Sequence, residues 1–549
     1  MPSPQKGENI VKLRFGGGVH SRASEADIAE NECADGYNFD LDVENREYRP
    51  RAPFVLCGTA TNGSRINGFA TFRDADGNVS LLVQAGDTVY QYDGDSTFTS
   101  VGTVSTSARL RGHLDANSPV DGVVLITDLA LVEPVMKWDG TTLSDVSFTN
   151  ETAAGFGTFK AKYCVFDNER AIFANVDAGA ATPNLIVGST RGDYTQISVA
   201  NRPSSSLGAE DPWFLAQPDN GAINGLAKAY GVLAVSSEVG DTYRLTGADA
   251  RDFQMTGLFP RSGAQGAESV VTVGADIFFG RQGRIHSLFT TANYGDVESE
   301  DISLPISDKI DDVGGWTAAY NARLQRAYWW PEDGGVCYVY HAAFRTPPKP
   351  TTEQIADALS GNAPKNAKVS PWVPWTTTHS TDFTPTAVMS VLYPTNGLEY
   401  VLFGDASGNI YRMEGEYGSG DGGTADVTAS RLSKRFQLEH DGAAFNIKGW
   451  ISYRKQDAFT VTLTIEASGE NIFDESITIT IPAATGGSYY GSGSYYGGSD
   501  YYGISFSQRV ARQKFAVPGK PQEFQVRVAA TEDFFWRIEE IGLRFDTAS

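Results

Sequence analysis

INGFATFRDADGNVSLLVQAGDTVYQYDGDSTFTSVG, residues 66–102, holds four short runs of β-branched and aromatic residues. They are joined at Asp76-Gly77, Gly86-Asp87 and Asp93-Gly94. Asp-Gly and Gly-Asp dipeptides between such runs are hairpin signals, because glycine accepts the positive φ that tight two-residue turns demand. Four antiparallel strands in one local unit make a propeller blade, and a blade cannot bury both of its faces alone.

The same layout recurs along the chain. Units fall near 108–148, around VMKWDGTTLSDVSF, near 155–199, around YCVFDNERAIFANV, and near 220–262, around YGVLAVSSEVGDTYRLTG. Three more fall near 263–304, near 307–376, around RAYWWPEDGGVCYVY, and near 380–432, around EYVLFGDASGNIYRMEG. Seven units between 65 and 432 average about 53 residues, above the roughly 40–50 of familiar blades, so some loops are enlarged. One is visible at 343–369, where the sequence predicts a short helix.

After 433 the pattern changes to period-two alternation. Phe445, Ile447, Ile451 and Tyr453 are followed by Val461, Leu463 and Ile465, then by Ile477, Ile479 and Ile481. Phe524, Val526 and Val528 and then Ile541, Leu543 and Phe545 complete the series. Such alternation predicts a β-sandwich. The fold expected is therefore all-β: an irregular propeller of about seven blades over 65–432, preceded by an arm at 1–64 whose strands join it, and followed by a sandwich at 433–549. A chain of 549 residues exceeds the single-core limit of roughly 250–300, in keeping with more than one domain.

Composition narrows the function. Lys and Arg total 44 against 67 Asp and Glu, a formal charge of −23 spread along the chain. Gripping nucleic acid requires clustered cations to displace counterions, so direct binding is disfavoured. The acidity is equally consistent with solubility in a salty habitat. Cys33, Cys57, Cys164 and Cys337 are far apart and the six histidines fall in six segments, so spacing predicts no metal site, no disulfide scaffold and no cofactor. DADGN at 74–78 has the spacing of the first calcium-loop ligands but Ala85 at the twelfth position, and reads as a hairpin turn. The opening residues lack the apolar core of a signal peptide, and Asp128 and Glu133 interrupt the apolar stretch 122–136, so neither export nor a membrane span is expected.

No G-x-S-x-G elbow, P-loop or dinucleotide fingerprint is present, and nothing singles out a carboxylate pair for glycoside hydrolysis. Trp138-Asp139 reads as a strand-ending turn with a packed indole. Trp329-Trp330 and Trp372 with Trp375 are either blade core or sugar-stacking platforms of a carbohydrate-binding adhesin or glycoside-degrading enzyme. GGSYYGSGSYYGGSDYYG at 486–503 repeats Tyr-Tyr-Gly three times. Tyr489, Tyr490, Tyr495, Tyr496, Tyr501 and Tyr502 offer large contact area at low side-chain entropy cost on a loop of the sandwich, the composition of an adaptable contact surface.

The segment RFGGGVHSRASEADIAENECADGYNFDLDVENREYRPRAPF (14–54) resembles the opening of β-propeller virion proteins of short-tailed bacteriophages, the tail nozzles and the related DNA-stabilisation hubs below the portal. The matching features are Phe15-Gly16-Gly17, a short polar helix over Ser24 to Glu32, Asn38-Phe39 and Arg49-Pro50-Arg51. Ala52-Pro53 replaces the Gly that usually follows the arginines. The resemblance implies a non-enzymatic virion protein, made in the host cytoplasm and assembled as six copies in a ring. Its expected partners are adaptor or portal-proximal tail proteins and tail fibres or spikes, and its ring would be a conduit for genomic DNA that passes without specific binding. A wall with excess carboxylate suits that role by repelling phosphate. The resemblance leaves the nozzle and hub positions open. Replacing the six tyrosines by serine is expected to leave the monomer folded while lowering virion assembly or infectivity, measured by plaque titre; particles of normal titre would remove the loop from the interface.

Overall fold

The computed structural model describes residues 9–13, 17–24, 27–28, 32–41, 48–119, 121–150, 158–177, 179, 181–197, 207–219, 221–229, 232–238, 241–259, 263–266, 268–274, 276–290, 297–311, 313–344, 370–377, 384–415, 426–437, 445–455, 459–470, 475–481, 509–514, 520–532 and 536–547. The expected short helix within 343–369, most of the polar segment Ser24 to Glu32, and all of 486–503 with its six tyrosines lie outside the described residues.

Seven four-stranded antiparallel units form a β-propeller. Blade 1 comprises Ile66–Arg73, Val79–Ala85, Thr88–Tyr92 and Phe98–Thr103, the stretch that opened the sequence reading. Blades 2 to 6 begin with the inner strands Leu110–Gly112, Lys160–Asp167, Ile223–Ala229, Val270–Val273 and Trp316–Asn321. Blade 7 is composite. Ala387–Leu392, Glu399–Gly404 and Asn409–Arg412 supply three strands, and the outer strand is Val55–Thr59 from the N-terminal arm. Neighbouring inner strands touch around the circle, except that the inner strand of blade 3 meets blade 2 through its second strand, Val124–Asp128, and the inner strand of blade 7 touches that of blade 1. Thr386 Oγ1 donates to Ile66 O at 2.5 Å across that last junction.

Strand middles are buried on both faces because each blade packs between two others. In blade 1, Leu82, Ala70 and Phe72 enter the core shared with blade 2, whereas Leu81, Val83 and Phe69 enter the core shared with blade 7. The hairpins repeat a local device. In Asp74–Asn78 and again in Asp405–Asn409, the aspartate carboxylate accepts from the asparagine backbone N–H and side-chain amide, each at 2.7 or 2.8 Å. The intervening Gly77 and Gly408 sit at φ +90° and +83°, where a side chain is strained. DADGN is thus a hairpin whose first carboxylate is occupied by its own turn. Trp138 is fully buried and Asp139 caps the following turn through Thr141 and Thr142.

The C-terminal sandwich borrows strands from the arm. One sheet orders Phe39–Leu41, Tyr48–Pro50, Trp536–Thr547, Phe445–Lys455 and Arg509–Lys514, with Asn9–Leu13 also paired to Trp536–Thr547. The other orders Cys33–Tyr37, Val427–Ser433, Lys520–Glu532, Phe459–Glu470 and Glu475–Ile481. Val427–Ser433 therefore belongs to the sandwich, and of the arm strands only Val55–Thr59 enters a blade. The alternating residues Val461, Leu463, Ile465, Val526, Val528, Ile541 and Leu543 all face the core. That core runs without interruption into the Trp-rich blade 6.

Asp128, which breaks the apolar run 122–136, organises a loop. Its carboxylate accepts four backbone N–H groups, from Arg109, Ala130, Val132 and Glu133, at 2.7 to 2.9 Å. Asp128→Ala leaves these donors unpaired in a buried site and is expected to destabilise the chain by about 2–4 kcal/mol, measured by chemical denaturation; Asp128→Asn recovers part of the loss.

Candidate functional site

Two places gather polar side chains from several elements: the propeller axis and the seam between propeller and sandwich. A cavity of ≈ 260 Å³ lies on the axis, lined by the inner strands of blades 2 to 7. Its charged lining residues are Arg111, Lys162 and Lys228 on one side of the balance and Asp115, Glu268 and Glu399 on the other. At one end Glu268, beside blade 5, crosses the axis to blade 2 and pairs with Arg111 and with Arg109 at 3.4 Å. Arg111 is buried and also donates to Asn67 O and Leu110 O, so this ion pair is a fixed strut between opposite blades. Lys228 pairs with Asp167 at 2.7 Å, and Ser390 donates to Glu399 at 2.6 Å.

One thiol and one phenol of the lining are held in their protonated forms. Burial pushes the Cys164 thiol and the Tyr163 phenol far above their ordinary ranges, away from the anionic forms that attack electrophiles. Burial raises Glu332 at the same end of the axis, with Arg109 opposing and Glu268 adding to the rise. Glu268 itself is committed to its two arginines. The cavity is smaller than the roughly 300–1,000 Å³ of drug-sized ligand pockets.

The aromatic candidates are settled by burial. Trp329, Trp330, Trp372 and Trp375 are all fully buried, with Trp316, in blade 6. Trp330 stacks near Tyr328 and Trp375 meets the same ring edge-on. They are core residues and present no face to a sugar.

The seam is built by the residues that stand out in the arm. Asn38 adopts a left-handed conformation at φ 58°, which asparagine tolerates better than most side chains. Its Nδ2 donates to Thr376 Oγ1 at 3.0 Å and Thr428 O at 2.9 Å, while its Oδ1 accepts from Thr376 N at 2.7 Å and Arg51 Nε at 3.0 Å. One buried amide, with all its bonding capacity used, thus joins the arm, the end of blade 6 and the sandwich. Arg51 Nη2 reaches Thr376 O at 2.8 Å, and its guanidinium lies over the rings of Phe54 and Trp375.

Next to it Asp40 accepts from Arg49 at 2.7 and 3.1 Å and from Arg326 of blade 6 at 2.6 and 2.7 Å. Arg326 also pairs with Glu414 at 2.7 Å, and Tyr328 donates to Glu414. Gly18 completes the dock: its N–H donates to Ser370 O at 2.7 Å, and a Cβ there would sit 2.2 Å from Trp372 O. Sequence reading had marked Asn38, Arg49 and Arg51 as part of a motif, but nothing local identified Asp40, Arg326, Thr376 or Glu414 as their partners.

Burial works against ionisation of Asp40, but the charges of Arg326 and Arg49 outweigh it and hold its pKa at about 2. His341 is fully enclosed 3.8 Å from Asp40, and burial together with Arg326 lowers its pKa to about 3. Burial raises Glu414, Arg326 opposing. The signs follow from linkage: the unfolded chain protonates His341 below about 6.5 while the folded chain resists until about 3, so stability is lost as pH falls through that window. Asp40 adds a loss between its ordinary 3.8 and about 2, and Glu414 acts in the opposite direction. Melting temperature is therefore expected to fall between pH 6.5 and 4.5, and His341→Gln to fall less steeply; parallel curves would remove His341 from the balance. Asp40→Asn leaves two guanidinium groups short of a partner and is expected to cost about 3–5 kcal/mol at pH 7.

Among the described residues no helix is long and apolar enough to cross a membrane. No protein-family model matches the chain, and no curated protein matches it. Solved structures similar in shape include virginiamycin B lyase from Staphylococcus aureus, at 10% identity and TM-score 0.40 over 66% of this chain and 98% of that one. A streptogramin B lyase is similar at 10% identity and TM-score 0.38, covering 66% of this chain and 97% of its own. BBS1N in its complex with ARL6DN is similar at 10% identity and TM-score 0.39, covering 66% and 98%.

Proposed function

We propose that the chain is a structural virion protein of a short-tailed bacteriophage, a subunit of the ring-shaped tail nozzle that retains the genome and forms the conduit for its ejection. The observation that carries this reading is the place of the motif in the fold. Asn38, Phe39, Arg49 and Arg51, four of the residues on which the resemblance rests, are spent on locking the sandwich to the propeller. A motif used to fix two domains at one angle serves a wall, and has no group left over for chemistry.

Two further features support it. The strut of Arg111 and Glu268 across the propeller axis leaves the blades as solid building blocks, so six copies would enclose a DNA path between them. The formal charge of −23 suits a surface along which phosphate slides without being held. In this reading the chain has no catalytic role, resides in the virion, contacts adaptor or portal-proximal proteins above and tail fibres or spikes beside it, and needs no cofactor. The hub position below the portal and adaptor is the second placement within the same family.

Electron cryomicroscopy of purified particles tests the proposal. Six copies around the tail axis at its distal end are expected, and particles lacking the chain should package DNA but fail to retain it. Six copies directly below the adaptor would select the hub. Absence from the particle, or turnover of a sugar polymer by the purified chain, would overturn the reading.

A further inference from the structure

One lateral end of the sandwich is held against the propeller, where Cys33–Tyr37 and Phe39–Leu41 touch the outer strand of blade 6. At the opposite end the two sheets finish in Glu475–Ile481 and Arg509–Lys514. Among the described residues each of these is paired along one flank only, with Phe459–Glu470 and Phe445–Lys455 respectively.

An edge strand presents unpaired N–H and C=O groups, and monomers guard such edges with Lys, Pro, Gly or bulges. Several outer strands of the blades are guarded: Gly58, Gly102 and Gly257 interrupt three of them, Pro374 lies in a fourth and Val297–Asp301 carries three acids, whereas Trp213–Ala216 has no such device. Glu475–Ile481 does not. Its sequence ESITITI is seven residues of high β-propensity without Pro, Gly, Lys or Arg, and its single charge is at the first position. Arg509–Lys514, RVARQK, has three cations and no acid in a chain that is otherwise strongly acidic, so by the same rule it is guarded against pairing with another cationic edge, its own copy included. Among the described residues one molecule thus carries an unguarded, nearly uncharged edge beginning with an acid and a cationic edge, both at the end of the sandwich away from the propeller.

We propose that these edges form the seam between subunits: the Glu475–Ile481 strand of one chain is extended by the Arg509–Lys514 strand of a second copy. The sheet then continues from one subunit into the next. Main-chain hydrogen bonds supply the contact, and the cationic strand supplies attraction between two chains whose overall charges repel. Because the two edges differ, the contact is not bound to two-fold symmetry and can close a ring. The inference rests on the reading of the chain as a self-assembling wall and adds the surface through which it assembles.

The test is sedimentation of the full-length chain, wild type against the double variant Thr478→Lys, Thr480→Lys. These positions are in register with Thr462 and Thr460, alternate to the register of the buried Val461 and Leu463. Wild type should assemble, the lysine variant should associate at least about tenfold more weakly at unchanged melting temperature, and Arg512→Glu should weaken assembly similarly. Assembly of the lysine variant at wild-type strength would overturn the seam, and so would a wild type that stays monomeric. A drop in melting temperature without a change in assembly would also overturn it, since the edge would then be covered by the chain itself. Rings that persist in the variant dispose of the seam and leave the wall reading standing; absence of the chain from particles disposes of that reading whatever sedimentation gives.

Discussion

The side-chain amide of Asn38 is the point on which the two domains depend. Its four hydrogen bonds tie together a strand donated by the arm, the end of blade 6 and a strand of the sandwich. A buried polar network is stabilising only when every member is satisfied, and a half-satisfied one is worse than an apolar contact. The seam therefore behaves as a lock with one setting. Asp40, shared between Arg49 and Arg326, repeats the arrangement a few ångströms away with full charges. Around both, the apolar core of the sandwich flows into the five buried tryptophans of blade 6. Hydrophobic burial supplies most of the energy of the joint, and the polar groups set its angle.

Within the propeller a different principle operates. Each blade is held to the next by alternating residues that enter two separate cores, and the ring is braced internally by the ion pair of Arg111 and Glu268. Glu268 of that brace lines the axial cavity, and thiol, phenol and imidazole groups near the axis are held in their neutral forms by burial.

Local features of this fold were legible in the sequence because they rest on local physics. The Asp-Gly and Gly-Asn turns marked hairpins, and the unit boundaries read from them agree with blades 1, 2, 4, 5 and 6, whereas the outer strand of blade 3, Trp213–Ala216, lies beyond the boundary at 199. The alternation at Val461, Leu463 and Ile465 marked a face that is buried. What the sequence did not disclose is long-range. Nothing about VLCGT announces that it pairs with Asn409–Arg412, more than 300 residues later, and nothing about RLS at 431–433 separates it from the blade before it. The role of Trp329, Trp330, Trp372 and Trp375 was left open because an indole in a strand looks the same whether it faces a core or a ligand. Partners of Asn38 and Asp40 were invisible for the same reason: Thr376 and Arg326 are brought to them by topology alone.

The composite seventh blade ties the history of the chain to its geometry. Its outer strand, Val55–Thr59, leaves the ribosome first, whereas the three strands it must join end at Arg412. The sandwich waits longer still, since Asn9–Leu13 pairs with Trp536–Thr547. Blades 1 to 6 can take shape as they emerge, but the circle and the joint are sealed only when synthesis is nearly complete. Loop closure over such separations is slow, and until it happens the arm is a loose end in search of its place. The joint between the two domains is therefore among the last parts of this fold to form, and a chain cut short before Trp536–Thr547 cannot complete it.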